Sequence, residues 1–241
     1  MTLSITLKQK DVLVLALLII ALVVINYGWL DDALSNFLNT SEQVHVDRII
    51  DGDTIESNST SIRLLGINSP ERGEFYYEEG KEFLENEILN QTVALKYGKE
   101  RYDKYQRVLA YVFLDNTNIN LLLVENGLAN IYFPSGKDQY YNQFQNAWED
   151  CINNHVNLCQ ASVNQCAQCI KIISKNSIIN TCNFQCNLEG WKIKAEGRQN
   201  IIFSEVLESQ EETSFELELT ETGDTLFLRD DAGKLVIWES C

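Results

Sequence analysis

From Val12 to Leu30 the chain reads VLVLALLIIALVVINYGWL, nineteen residues without a charged side chain. A helix rising 1.5 Å per residue would carry such a run across the roughly 30 Å of a bilayer core. So apolar a stretch must be accounted for before any soluble fold is considered. Lys8 and Lys10 precede it, Asp31 and Asp32 follow it, and Tyr27 and Trp29 sit near its outer end, where interfacial aromatics belong. The positive-inside rule then predicts a cytoplasmic N-terminus and an extracytoplasmic remainder. No small-x-small pattern closes the run, which favours an uncleaved single-pass signal-anchor over residues 1–30; the alternative is a cleaved signal peptide and a secreted product. Residues 31–42, DDALSNFLNTSE, are mostly polar and read as a stalk.

The rest of the 241 residues is long enough for two compact units. With 45% hydrophobic and 22% charged residues, each can bury a core. A formal charge of −16 excludes a protein that grips nucleic acid through a general basic surface, because Lys and Arg contacts dominate phosphate binding. A polyanion would need a local cluster. Lys96, Lys99, Arg101, Lys104 and Arg107 supply one within a short strand-loop element that Arg63 is expected to join.

All seven cysteines, Cys151, Cys159, Cys166, Cys169, Cys182, Cys186 and Cys241, lie in the C-terminal part, which already suggests two modules. In an exported chain such clustering reads as disulfides, six cysteines pairing and one left over. Cys166-x-x-Cys169 and Cys182-x-x-x-Cys186 also have a spacing that zinc tolerates.

From Val44 the runs VHVDRII, TIES and SIRLLGI predict a three-stranded meander. A helix is expected in EFYYEEGKEFLENEIL, with Phe83, Leu84 and Ile88 at helical spacing, followed by strands in TVALKYG and RVLAYVFLD. NINLLLVENGLA reads as a helix stopped by Gly127. In KDQYYNQFQNAWEDCINN, the residues Tyr141, Phe144, Trp148 and Cys151 share one helical face. Five strands with a helix after the third suit an α+β unit built on a small, partly open β-barrel of the OB type, over residues 43–155. Over residues 156–241, short strand runs separated by Gly- and Asn-bearing turns suit a small immunoglobulin-like β-sandwich.

Only His45 and His155 offer imidazoles, and neither stands in a metal or nucleophile motif. Acid/base work therefore falls to carboxylates. Three segments stand out: Asp51-Gly52-Asp53-Thr54; Arg63-Leu64-Leu65-Gly66-Ile67-Asn68-Ser69-Pro70-Glu71; and Asp103-Lys104-Tyr105-Gln106-Arg107. A lone DGD is usually a hairpin turn. In this order and on this strand-helix-strand frame, the three together resemble the staphylococcal nuclease (thermonuclease) family over about residues 43–135.

That resemblance implies a hydrolase cutting DNA and/or RNA with Ca²⁺. Asp53 and Asn68 would be metal ligands, with Ser69 contributing its backbone carbonyl. Glu71 would be the general base or water-positioning group, and Arg63 and Arg107 would contact the scissile phosphate. Lys104 and Tyr105 match positions near the nucleotide. The residue types suit these tasks: hard oxygens bind Ca²⁺, and guanidinium stabilises phosphate charge that grows in the transition state. Two positions depart from the family pattern. Asn68 stands where the family has aspartate, which lowers ligand charge and predicts a weaker metal site. Gln106 replaces a glycine. The alternatives are a barrel that holds nucleic acid without cutting it, as degenerate copies of this fold imply, and a surface-attachment protein using the same barrel and the C-terminal sandwich, although Arg63, Glu71 and Arg107 are all retained.

Further on, Leu188-Glu189-Gly190-Trp191-Lys192-Ile193, then Gly223-Asp224-Thr225-Leu226-Phe227-Leu228-Arg229-Asp230 and Gly233, resemble the lamin-tail domain. That resemblance implies a binding or positioning module without catalytic residues, and leaves its partner open.

Overall fold

The structure, a computed structural model, describes residues 41–196, 200–217 and 225–240. The run Val12–Leu30 lies outside them, and no described helix is long and apolar enough to cross a membrane. The described residues from Gln43 onward form one compact unit.

Its first part is a curled sheet of the OB type. Strands β1 (Glu42–His45), β2 (Arg48–Asp51), β3 (Thr54–Ser57), β4 (Thr60–Leu64), β5 (Gly66–Asn68), β6 (Thr92–Tyr102), β7 (Val108–Leu114), β8 (Thr117–Asn118) and β9 (Asn130–Tyr132) accompany helices α1 (Tyr77–Ile88), α2 (Ile119–Glu125) and α3 (Tyr141–Asn154). The main sheet runs β1-β6-β7-β4-β3-β2, with β8 on β7 and the pair β5-β9 apart. It has seven strands where five were expected, because VHVDRII divides and β8 is added. Val46 bonds through its N–H and C=O to Gln91 and Asn90, so the chain leaves one strand partner before meeting the next.

The three helices form where the apolar spacing predicts them. In α1, Tyr77, Gly80, Leu84 and Ile88 turn inward, and Glu78 and Glu79 in its first turn complement the positive end of the helix dipole. Helix α2 is capped by the Asn118 side chain, which accepts from the Leu121 N–H. It ends at Gly127, where φ is 60° and a Cβ would stand 2.5 Å from the Val156 carbonyl oxygen, so only glycine fits. Helix α3 buries Phe144, Ala147, Trp148 and Cys151.

The C-terminal part carries β10 (Ile170–Ser174), β11 (Ser177–Asn180), β12 (Cys186–Asn187), β13 (Lys192–Ala195), β14 (Ile201–Ile202), β15 (Val206–Leu207), β16 (Glu212–Ser214), β17 (Thr225–Arg229) and β18 (Leu235–Ser240). They assemble into the sheets β10-β11-β16, β12-β15 and β14-β13-β17-β18. Gly223 and Asp224 of the GDT motif lie outside the described residues. Cys151–Cys159, Cys166–Cys186 and Cys169–Cys182 are disulfides, so the thiolates a zinc ion would need are consumed; Cys241 lies outside the described residues.

The described residues form two buried cores. One, around Ile170, Leu188, Trp191 and Ile193, belongs to the C-terminal strands. The other fills the curled sheet, yet it includes Phe227 and Leu235 from beyond the expected boundary at residue 155. Trp148 of α3 meets Phe227 and Trp238 edge-on, with ring centroids 5.4 and 6.2 Å away.

Candidate active site

The Asp51-Gly52-Asp53 turn joins β2 to β3 and packs under the exit of β5. A Cβ on Gly52 would lie 2.8 Å from the Ser69 Cβ, so glycine permits the approach. Asp53 is buried there. Its Oδ2 accepts from the Ser69 N–H at 2.8 Å and pairs with Arg63 Nη2 at 2.9 Å, while its Oδ1 accepts from the Thr54 hydroxyl at 3.0 Å. Arg63, from the end of β4, also donates to the Leu64 carbonyl at 2.7 Å and to Asn68 Oδ1 at 2.9 Å. Asp53, Arg63, Asn68 and Ser69 thus form one buried cluster. Asp51 borders it, and burial together with the charge of Asp53 pushes its carboxyl up to about 6.

Glu71 is exposed two residues beyond Ser69, on a loop fixed by its neighbours. The Glu71 N–H donates to Glu74 Oε2 at 2.8 Å, and Glu74 in turn meets Lys194 Nζ at 3.4 Å and the Asn200 side-chain amide. Burial opposes ionisation of Glu74, but Lys194 and these hydrogen bonds hold its pKa below the usual value. Phe75 lies so close to Gly233 that a Cβ there would strike its ring, and Lys234 donates to the Tyr76 hydroxyl at 3.2 Å. The C-terminal strands therefore hold the loop that carries Glu71.

Arg107 immediately precedes β7, which runs parallel to β4 with Arg63 opposite Leu109. The Arg107 Nε donates to Asp103 Oδ2 at 2.7 Å, and Asp103 Oδ1 accepts from the N–H groups of Tyr105 and Arg107. Gln106 takes the left-handed conformation, φ 63°, that glycine adopts freely. A non-glycine residue in that conformation costs about 1–2 kcal/mol. Lys104 and Tyr105 are exposed beside it, with the Lys104 Nζ 5.0 Å and the Arg107 Cζ 5.5 Å from the Tyr105 ring centre. The structure thus ties Asp53, Arg63, Asn68 and Ser69 by direct bonds. Glu71 stands on one loop, and Lys104, Tyr105 and Arg107 on another, outside that bonded cluster.

Sequence reasoning missed the layer behind the cluster. Asn68 and Asn130 are register partners in the β5-β9 pair, and both donate to Glu196, Nδ2 of Asn68 to Oε2 at 2.7 Å and Nδ2 of Asn130 to Oε1 at 2.6 Å. Arg229 Nη2 donates to Asn130 Oδ1 at 3.1 Å. Burial raises the pKa of Glu196 against the pull of Lys194, the two amides and Arg229, and burial pulls Arg229 down to about 10 while Glu196 holds it up. Strand alternation places Lys192, Lys194 and Glu196 on one face, which reads as solvated; nothing local signals that this face meets the first part of the chain.

The donor set is compatible with a hard divalent cation. Asp53 Oδ1 and Asn68 Oδ1 each accept a single hydrogen bond and keep an accepting position, and all the candidate ligands are oxygens.

The sequence profile described as "Staphylococcal nuclease homologue" matches residues 61–160. The chain is 32% identical over 127 residues to the protein named thermonuclease in Staphylococcus intermedius, a match spanning 48% of this chain and 76% of that protein. It is 33% identical over 120 residues to the thermonuclease of Staphylococcus hyicus, spanning 45% of this chain and 71% of that protein. It is also 33% identical over 105 residues to an uncharacterized endonuclease of Haemophilus influenzae, spanning 42% of this chain and 58% of that protein. Coverage of 76% of the Staphylococcus intermedius protein at 32% identity fixes the family.

Proposed function

Since the chain belongs to the staphylococcal nuclease family, we propose that it is a Ca²⁺-dependent nuclease that hydrolyses phosphodiester bonds of DNA, RNA or both outside the cytoplasm. The observation that carries this reading is the bonded cluster of Asp53, Arg63, Asn68 and Ser69, with exposed Glu71 two residues beyond it. Asp53, Asn68 and the Ser69 carbonyl would hold Ca²⁺, which when bound supplies charge neutralisation at the phosphate and acidification of water. Glu71 accepts the proton of the attacking water. Arg63 and Arg107 stabilise the charge that grows on the phosphate, and because Asp103 engages only Nε of Arg107, the two Nη groups are left for that contact. Tyr102 and Tyr105, both more than half exposed among Lys99, Arg101 and Lys104, offer stacking faces and cations to the strand.

Digestion of single-stranded DNA, duplex DNA and RNA by the full chain, with Ca²⁺ and with chelator, tests the reading. Cleavage is expected only with Ca²⁺. Binding without cleavage at any Ca²⁺ concentration would replace the enzyme by a nucleic-acid-binding barrel.

Two further proposals concern placement. Residues 12–30 anchor the chain in a membrane with everything beyond Asp31 outside, as the flanking charges support. Protease added to intact cells is expected to digest the part beyond Asp31 and spare the N-terminus; digestion only after lysis would overturn this. Residues 156–241 form a lamin-tail-type immunoglobulin-like module, supported by the buried Trp191 and by β13 lying between β14 and β17. A solved structure lacking two face-to-face sheets in this segment would refute that assignment.

A further inference from the structure

The amide of Asn68 has an acceptor-only partner on one side and a donor-only partner on the other. As a carboxylate, the form that Lys194, the two amides and Arg229 favour against burial, Glu196 takes through Oε2 only the Nδ2 end, and Arg63 Nη2 can give only to the Oδ1 end. An asparagine amide has two ends of nearly equal shape, so such opposed partners decide which way it faces. Here they turn the oxygen toward Arg63, whose Nη2 also pairs with Asp53. The same device is repeated one strand away, where Asn130 lies between Glu196 and Arg229. Glu196 is 3% exposed, and each of its oxygens receives one amide of this cross-strand pair.

We propose that Glu196 is a positioning residue of the nuclease site: from the C-terminal segment it fixes the Asn68 oxygen toward the metal position and returns, one side chain further out, the negative charge that position 68 lacks. The inference rests on the metal-dependent reading above. It explains why an amide can stand among the ligands, and it makes the C-terminal segment part of the site. It also reverses a simple expectation. Restoring aspartate at position 68 would set a carboxylate where Nδ2 now meets Glu196 at 2.7 Å, so two like charges would face each other in a buried place. Restoring aspartate while converting Glu196 to glutamine exchanges acceptor for donor and keeps the total charge.

The test uses the full chain in detergent, comparing the parent with Glu196→Gln, Asn68→Asp and the double variant. Ca²⁺ binding is measured by calorimetry, and thermal melting is measured in chelator. Glu196→Gln is expected to weaken Ca²⁺ binding about 10-fold or more, as loss of a group that orients a metal ligand does. Asn68→Asp alone is expected to bind Ca²⁺ no more tightly than the parent and to melt lower without metal. The double variant is expected to recover both. Tighter binding by Asn68→Asp alone, unchanged binding by Glu196→Gln, or no recovery in the double variant would each overturn the proposal. If the parent binds and cuts with Ca²⁺ while Glu196→Gln is unaffected, this inference alone falls. If the parent neither binds nor cuts at millimolar Ca²⁺, the metal-dependent reading falls and takes this inference with it.

Discussion

Arg107→Ala is expected to lower kcat by on the order of 10²–10³-fold while leaving substrate affinity and folding nearly unchanged. Glu71→Gln should fall at least as far, because in the proposed mechanism both groups would act on charge and protons that appear as phosphorus becomes five-coordinate. Arg107 gives the cleaner experiment. Its bond to Asp103 is partly exposed, with about a third of the arginine side chain open to solvent, so losing it removes little stability. Arg63→Ala should show the same kinetic loss but also a large stability loss. Its guanidinium is buried against Asp53 and holds Asn68, and removing one partner of a buried pair typically costs about 3–5 kcal/mol. Lys104→Ala and Tyr105→Ala should instead raise KM with kcat nearly kept. Single-turnover cleavage, with melting curves for each variant, separates these outcomes. Retention of kcat within about tenfold of the parent by a folded Arg107→Ala variant would remove Arg107 from the chemistry.

Trp148→Ala is expected to cost about 3–5 kcal/mol in urea unfolding, the usual range for deleting a fully buried tryptophan. The indole lies between the core of the curled sheet and Phe227 and Trp238 of the C-terminal strands, so its loss opens a cavity against both parts. Its N–H has no hydrogen-bond partner among the described residues, so Trp148→Phe should cost much less. The parent should unfold in one transition. Two transitions, or a loss under about 1 kcal/mol in Trp148→Ala, would show that the curled sheet and the C-terminal strands hold themselves together separately.

The helices were legible because their apolar residues recur at helical spacing and Gly127 marks a stop, both local properties of the chain. The strand count was not, because Val46 takes its hydrogen bonds from Asn90 and Gln91, more than forty residues away. The candidate site residues were legible as motifs. Asp53, Arg63, Asn68 and Ser69 fall in two short segments, and the turn and strand exit that carry them bring them together directly. Gln106 stands where glycine was expected and takes the left-handed conformation, with Asp103 bonded to the backbone on both sides of it. What the sequence determined by itself is therefore the set of chemical groups and the elements that bear them, because periodicity, turn residues and short motifs act over a few positions. Only the tertiary structure decided that Glu196, on a strand whose alternation reads as solvent-facing, stands behind Asn68, and that Lys194 and Gly233 brace the Glu71 loop. Those contacts join residues more than a hundred positions apart, and their cause is the burial of one part of the chain against another, which no local pattern encodes.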